Sequence, residues 1–174
     1  MLLDTSVFVD LFFECVHRLK PEAYCRELCR FTADRGVYIS EFSAKVEVPW
    51  AILNVIVKRG IIDIDIATVW NFISGIINSR YILDLNNEII SLAQKIYNNI
   101  KLSTQDSLQL ATAVFYRMPL FTSDVEFYEK LWRRCGGCGA VSGRILYCRQ
   151  CRVEGSLVDV AVARLWQCLY TSVY

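Results

Sequence analysis

The sequence predicts an α/β domain, a parallel sheet of about four short strands covered by helices on both faces. Short β-type runs recur at 1–3, 37–39, 81–83 and 120–122, separated by long segments whose apolar residues keep helical spacing. Strands this short, so far apart, cannot pair as hairpins and need crossover connections. The 174 residues are 54% apolar and 21% charged with only three prolines, which supplies a real core and excludes a disordered chain.

Each element follows from local signals. The first strand, Met1–Leu3, leads into helix-period segments at 6–14 and 21–34, and the second strand, Val37–Ile39, follows Gly36, a helix-stopping residue. A helix over 43–58 ends before Gly60; Pro49 lacks an N–H, so this helix starts late or kinks beside Glu47. A helix over 64–78 precedes the strand Tyr81–Leu83, and helices over 87–99 and 104–117 precede Leu120–Thr122. Ser103 or Thr104, and later Ser123, are the expected N-caps of the helices that follow them. Residues 156–174 read as a C-terminal amphipathic helix. The organisation expected is a body over 1–132, a small cysteine-rich unit over 133–155 and that helix.

Four of the eight cysteines define the middle unit: Cys135 and Cys138 form one C-x-x-C pair, Cys148 and Cys151 another. Two such pairs nine residues apart have the spacing of a zinc ribbon, in which four thiolates close a tetrahedron around a structural Zn²⁺. Two disulfides are the alternative. Cys15, Cys25, Cys29 and Cys168 are scattered and read as core residues. His17 is the only histidine, which leaves histidine-dependent triads without support.

The net charge of +1 hides an asymmetry. Residues 1–129 carry 12 Lys/Arg against 16 Asp/Glu, whereas residues 130–152 carry six cations and no acid. A basic segment on an acidic body points weakly to nucleic acid, a solvated basic face being the alternative. No apolar stretch approaches the ~18–20 residues of a membrane span. Asp4 stands where an export signal would carry base, so the expected location is the cytoplasm.

The chemistry is expected at strand ends. Asp4 directly follows the first strand, Asp124 the last, Asp106 sits in the first turn of a helix, and Glu47 lies early in the helix after the second strand. In a doubly wound sheet, residues beyond the carboxyl ends of the strands converge on one crevice. Carboxylates gathered there repel one another unless a divalent cation neutralises them, and oxygen-only ligands select Mg²⁺ or Mn²⁺. Such an ion activates water for in-line attack at phosphorus. Taken singly, each acid has a duller role as a helix cap, a turn residue or a solvated side chain. Their joint placement favours the site.

The segments Leu2-Leu3-Asp4-Thr5-Ser6-Val7-Phe8, Leu102-Ser103-Thr104-Gln105-Asp106-Ser107-Leu108-Gln109-Leu110-Ala111 and Pro119-Leu120-Phe121-Thr122-Ser123-Asp124 resemble, in order and spacing, the motif blocks of PIN-domain ribonucleases. They resemble especially the VapC-type toxins of toxin–antitoxin pairs. The resemblance implies a PIN-like fold and an endonuclease that cuts single-stranded RNA with Mg²⁺ or Mn²⁺. It also implies an antitoxin as partner, while the apolar composition suggests a surface buried against another chain, with a homodimer as the expected form. By position it matches Asp4, Asp106 and Asp124 to the family's acids, Ser6 to its hydroxyl, and Glu47 to the glutamate of its second block, with Glu41 as the alternative. Two features depart from the pattern. The usual fifth strand is missing where Trp132-Arg133-Arg134 runs into Cys135, and a zinc ribbon is unusual for these toxins. A PIN body with a ribbon instead resembles an archaeal endonuclease that matures ribosomal RNA. A catalytically silent PIN-like binding scaffold is the rival from another class.

Overall fold

The structure is a computed structural model that describes residues 1–17, 36–78, 81–134, 139–141, 145–153 and 156–164. The expected helix over 21–34 lies outside these residues, as do Cys25, Cys29, Cys135, Cys138 and Cys168. Strand β1 (Leu2–Leu3) leads into helix α1 (Thr5–Asp10), which continues as a π-helical turn over Leu11–Val16. Strand β2 (Ile39–Ser40) leads through a π-helical turn (Ser43–Glu47) into α2 (Val48–Arg59). Next come α3 (Ile66–Ile77), β3 (Ile82–Leu83), α4 (Asn87–Ile100), α5 (Thr104–Phe115), β4 (Leu120–Thr122) and α6 (Val125–Arg134). Strands β5 (Gly139–Val141), β6 (Ile145–Val153) and β7 (Ser156–Arg164) complete the described chain.

The first four strands run parallel. β1 pairs with β4 through Leu2↔Leu120 and Leu3↔Phe121, and β2 pairs with β3 through Ile39↔Ile82. The halves meet at a parallel bridge between Leu2 and Tyr38, where Leu3 N donates to Tyr38 O at 2.9 Å and Tyr38 N to Met1 O at 2.8 Å. The spatial order is therefore β3-β2-β1-β4.

Neighbouring residues of one strand enter different cores. Leu2 and Leu120 pack with Ile89, Ile96, Leu110 and Phe127 of α4, α5 and α6. Leu3 and Phe121 pack with Val7 on α1. Behind β2, Ile39 joins Phe12, Ile52, Val69 and Ile73 from α1's extension, α2 and α3. Both faces of the sheet are thus buried, which is why its strands are continuously apolar instead of alternating.

The helix signals act where the sequence placed them, with one exchange. Gly60 adopts φ 59° and closes α2, and Ser103 caps α5 by accepting from Asp106 N at 3.0 Å. The cap of α6 is Asp124, not Ser123: its Oδ1 accepts from Glu126 N at 2.8 Å and Phe127 N at 3.0 Å. Pro49 falls in the first turn of α2, just after the π-helical turn that ends at Glu47. The wider turn accommodates a residue that has no N–H to give and whose ring crowds the preceding carbonyls.

One further expectation is corrected. Residues 156–164 form strand β7, not the start of a helix; they pair in parallel with β4 through Leu120↔Val162 and antiparallel with β6. Val158, Val160 and Val162 recur at every second position, and β-branched residues at that period suit a pleated strand better than a helix. β7 thereby occupies the fifth position beside β4, where the sequence suggested that no strand followed. Cys15, whose role the sequence left open beyond a place in the core, is disulfide-bonded. Among the described residues no helix is long and apolar enough to cross a membrane.

Candidate active site

The parallel sheet turns its strand ends toward one side, and the acids collect there. Asp4 ends β1, and its backbone N–H donates to Phe121 O at 2.8 Å, so the carboxylate is anchored beside β4. Its side chain is buried, with only 7% exposed. Oδ1 caps α1 by accepting from Thr5 N at 2.8 Å, and Oδ2 accepts from Ser6 Oγ and Thr122 Oγ1, both at 2.7 Å. The same hydroxyls bind the chain after β4: Ser6 Oγ accepts from Ser123 N at 3.0 Å and Thr122 Oγ1 from Asp124 N at 2.9 Å. Asp4 and Asp124 are therefore joined through one hydroxyl.

Glu47 is held from three elements. Its Oε2 accepts from Thr5 Oγ1 and Ser43 Oγ, both at 2.7 Å, and from Gln109 Nε2 at 3.1 Å. Gln109, buried on α5, also donates to Ser43 Oγ and to Thr5 Oγ1, and its Oε1 has no partner. Glu41 is engaged elsewhere, with Lys45 Nζ at 2.7 Å and Leu85 N at 3.1 Å, and it does not line the cleft. Between the two candidates for the second block, the structure brings Glu47 to the acids.

The cleft measures about 400 Å³ and is lined by Glu47, Asp106 and Asp124 together with Thr5, Trp50 and Lys130. Asp4 and Ser6 stand behind this wall and do not line it. The acids also act on one another electrostatically. Burial pushes the Asp4 carboxyl up to about 6; the Ser6 and Thr122 hydrogen bonds oppose this, while the charges of Glu47 and Asp106 add to it. Asp106 is also raised, chiefly by burial and then by Asp124, against the hydrogen bonds from Ser103 and the Lys130 charge.

The donor set suits a hard divalent cation, because it is oxygen-only and its members repel one another. Among the described residues no three side chains already stand close enough together to form a metal cage. The fit is thus of chemistry and not of finished geometry. Asp4, Asp106 and Asp124 would hold the ion with Glu47 beside them, and Asp124 commits only Oδ1 to its cap.

Four supporting residues were not singled out from the sequence. Thr5, Ser43, Gln109 and Thr122 carry the hydrogen bonds that orient Asp4 and Glu47. Gln109 did leave a trace, since it and Thr112 are polar residues on the buried side of α5. Of the cysteine unit, Cys148 and Cys151 lie on β6, where the pairing with β7 shifts register between them.

A parallel sheet sheathed by helices, with acids at the ends of β1 and β4 and on the adjoining helices, defines an α/β domain with a carboxylate cleft at its strand ends. The PIN domain model matches residues 1–131, and the chain belongs to the PIN-domain family. Similar solved structures include FitAcB from Neisseria gonorrhoeae, 15% identical with a TM-score of 0.50 over 74% of this chain and 91% of that one. A toxin–antitoxin complex from Klebsiella pneumoniae is 19% identical with a TM-score of 0.49 over 73% and 88% of the two chains. PAE2754 from Pyrobaculum aerophilum is 15% identical with a TM-score of 0.48 over 74% and 84%. No curated protein matches the chain significantly.

Proposed function

We propose that this PIN domain is an endoribonuclease that cuts single-stranded RNA with Mg²⁺ or Mn²⁺, as the toxin of a toxin–antitoxin pair. The observation that carries the reading is the convergence of Glu47, Asp106 and Asp124 on one cleft, with Asp4 hydrogen-bonded through Thr122 to the chain that presents Asp124. Bound among these acids, a divalent ion supplies positive charge at the phosphodiester and lowers the pKa of a water molecule. The chain's own residues prepare that site. Ser6 and Thr122 fix Oδ2 of Asp4; Thr5, Ser43 and Gln109 fix Oε2 of Glu47. Asp106 and Asp124 line the same cleft as Glu47, and Lys130 adds a cation there that suits a phosphate.

The partners proposed are RNA, an antitoxin and a second copy of the chain, in the cytoplasm. The motif resemblance suggests the antitoxin. Exposed apolar side chains on and between α2 and α3, among them Val57, Ile62, Ile66 and Trp70, supply surface for a protein partner. Cys135, Cys138, Cys148 and Cys151 are proposed to hold one structural Zn²⁺ on the strength of their spacing.

The test is cleavage of an unstructured RNA. Asp106→Asn should keep the fold and lower the rate at least about a hundredfold, and EDTA should abolish cutting. Activity that survives both would remove the acids from the chemistry.

A further inference from the structure

We propose that Trp50 is the platform on which a nucleobase next to the cleaved phosphodiester stacks; this rests on the nuclease reading above. Trp50 stands in the first turn of α2, three residues after Glu47, and so on the same helix face. Its side chain is 68% exposed although it lines the cleft with Glu47, Asp106 and Asp124. Large aromatic side chains are ordinarily packed away, and an indole left in water beside a catalytic cleft gains by being covered.

The surroundings decide what covers it. The other lining residues are mostly polar: Thr5, Ser103, Gln105, Glu126 and Lys130 beside the acids, with Ala51 and the buried Phe127 as the apolar exceptions. One aromatic face among charges matches single-stranded nucleic acid, where a base supplies the π surface and the adjoining phosphate meets a cation. A protein anchor would want an apolar surround, as Val57, Ile62, Ile66 and Trp70 provide further along α2 and α3. Lys130 supplies the cation; its partner Glu126, at 2.7 Å, is largely exposed, so the ion pair is readily exchanged for a phosphate. Because every base has a π face, Trp50 sets affinity and the register of the strand over the acids, not base choice.

The test uses the full chain with Mn²⁺ and a single-stranded RNA oligonucleotide carrying one cut site, intact or with one abasic nucleotide at each position in turn. In Trp50→Ala, KM should rise about tenfold with kcat falling less than about twofold, and Trp50→Phe should recover most of the loss. On the wild type, removing one base beside the cut should cost a similar factor, and that cost should vanish in Trp50→Ala. A flat abasic profile on the wild type, or an unchanged KM in Trp50→Ala while Asp106→Asn is inactive, would overturn the platform and leave the nuclease reading standing. Loss of binding to a protein partner with RNA kinetics unchanged would assign Trp50 to that partner instead. A wild type that neither binds nor cuts RNA would overturn both.

Discussion

Asp4 and Glu47 are held by hydroxyl and amide groups, some from distant parts of the chain, whereas Asp106 and Asp124 sit at the starts of helices and are held within a few residues of sequence. The first pair depends on the tertiary fold. Thr122 reaches Asp4 across 118 positions and Gln109 reaches Glu47 across 62. The second pair depends on capping: Ser103 bonds to Asp106, and Asp124 to the first N–H groups of α6. The contrast separates two costs. Burial makes an ionised Asp4 oppose folding, and it raises Asp106 too, while the exposed Asp124 favours folding as the cap of α6. One half of the site is thus oriented by long-range hydrogen bonds, the other by local caps.

The sharpest way to separate the halves is Asp4→Asn. The Asp4 carboxyl rises from 3.8 to about 6 on folding, so the folded state holds its proton more tightly than the unfolded state does. That contribution is fully present below pH about 4 and is lost as pH rises through about 6, for a total of about 3 kcal/mol. In EDTA, Asp4→Asn should therefore melt at least about 5 °C above the wild type at pH 7, with no advantage at pH 4, while cleavage disappears. Equal melting temperatures across that range would show that Asp4 is not strained.

Gln109→Leu probes the same half more gently. It removes a donor from Glu47, but it also removes the unpartnered Oε1, so the stability cost should be only about 1 kcal/mol. Cleavage should fall about tenfold, because Glu47 loses one of the groups that orient it. A normal rate with a large stability loss would make Gln109 a packing residue alone.

The smallest effect belongs to the locally capped half. Ser103→Ala deletes the cap of α5 and should cost about 1 kcal/mol, or roughly 2–4 °C in Tm. The rate should stay within about threefold, since Asp106 remains on the first turn of α5 and the ion can still draw it in. A hundredfold loss would mean that this half is as rigidly organised as the other.

The same division governs what could be read from sequence. Local signals were legible: the four parallel strands, Gly60 as a stop, Ser103 as a cap and the acids at strand ends all follow from nearest neighbours in the chain. Long-range supports were not. Nothing next to Thr122 or Gln109 says that they reach Asp4 and Glu47, because those bonds exist only once α1, α2 and α5 pack around the sheet. Ser123 and Asp124 are both good caps, and sequence could not choose between them; the bonds of Ser6 to Ser123 N and Thr122 to Asp124 N set the register that gives the role to Asp124. In 156–164, an apolar run fits helix and strand alike, and pairing with β4 and β6 decides for the strand.

Whether both halves serve one ion can be measured by titrating Mn²⁺ into the metal-free protein and its variants and following binding by electron paramagnetic resonance. An ion should bind in the cleft with an affinity that falls at least about tenfold in Asp4→Asn and again in Asp124→Asn, and that weakens as pH drops through about 6, where Asp4 takes up its proton. Mn²⁺ binding that is unchanged by substitution in either half would contradict it.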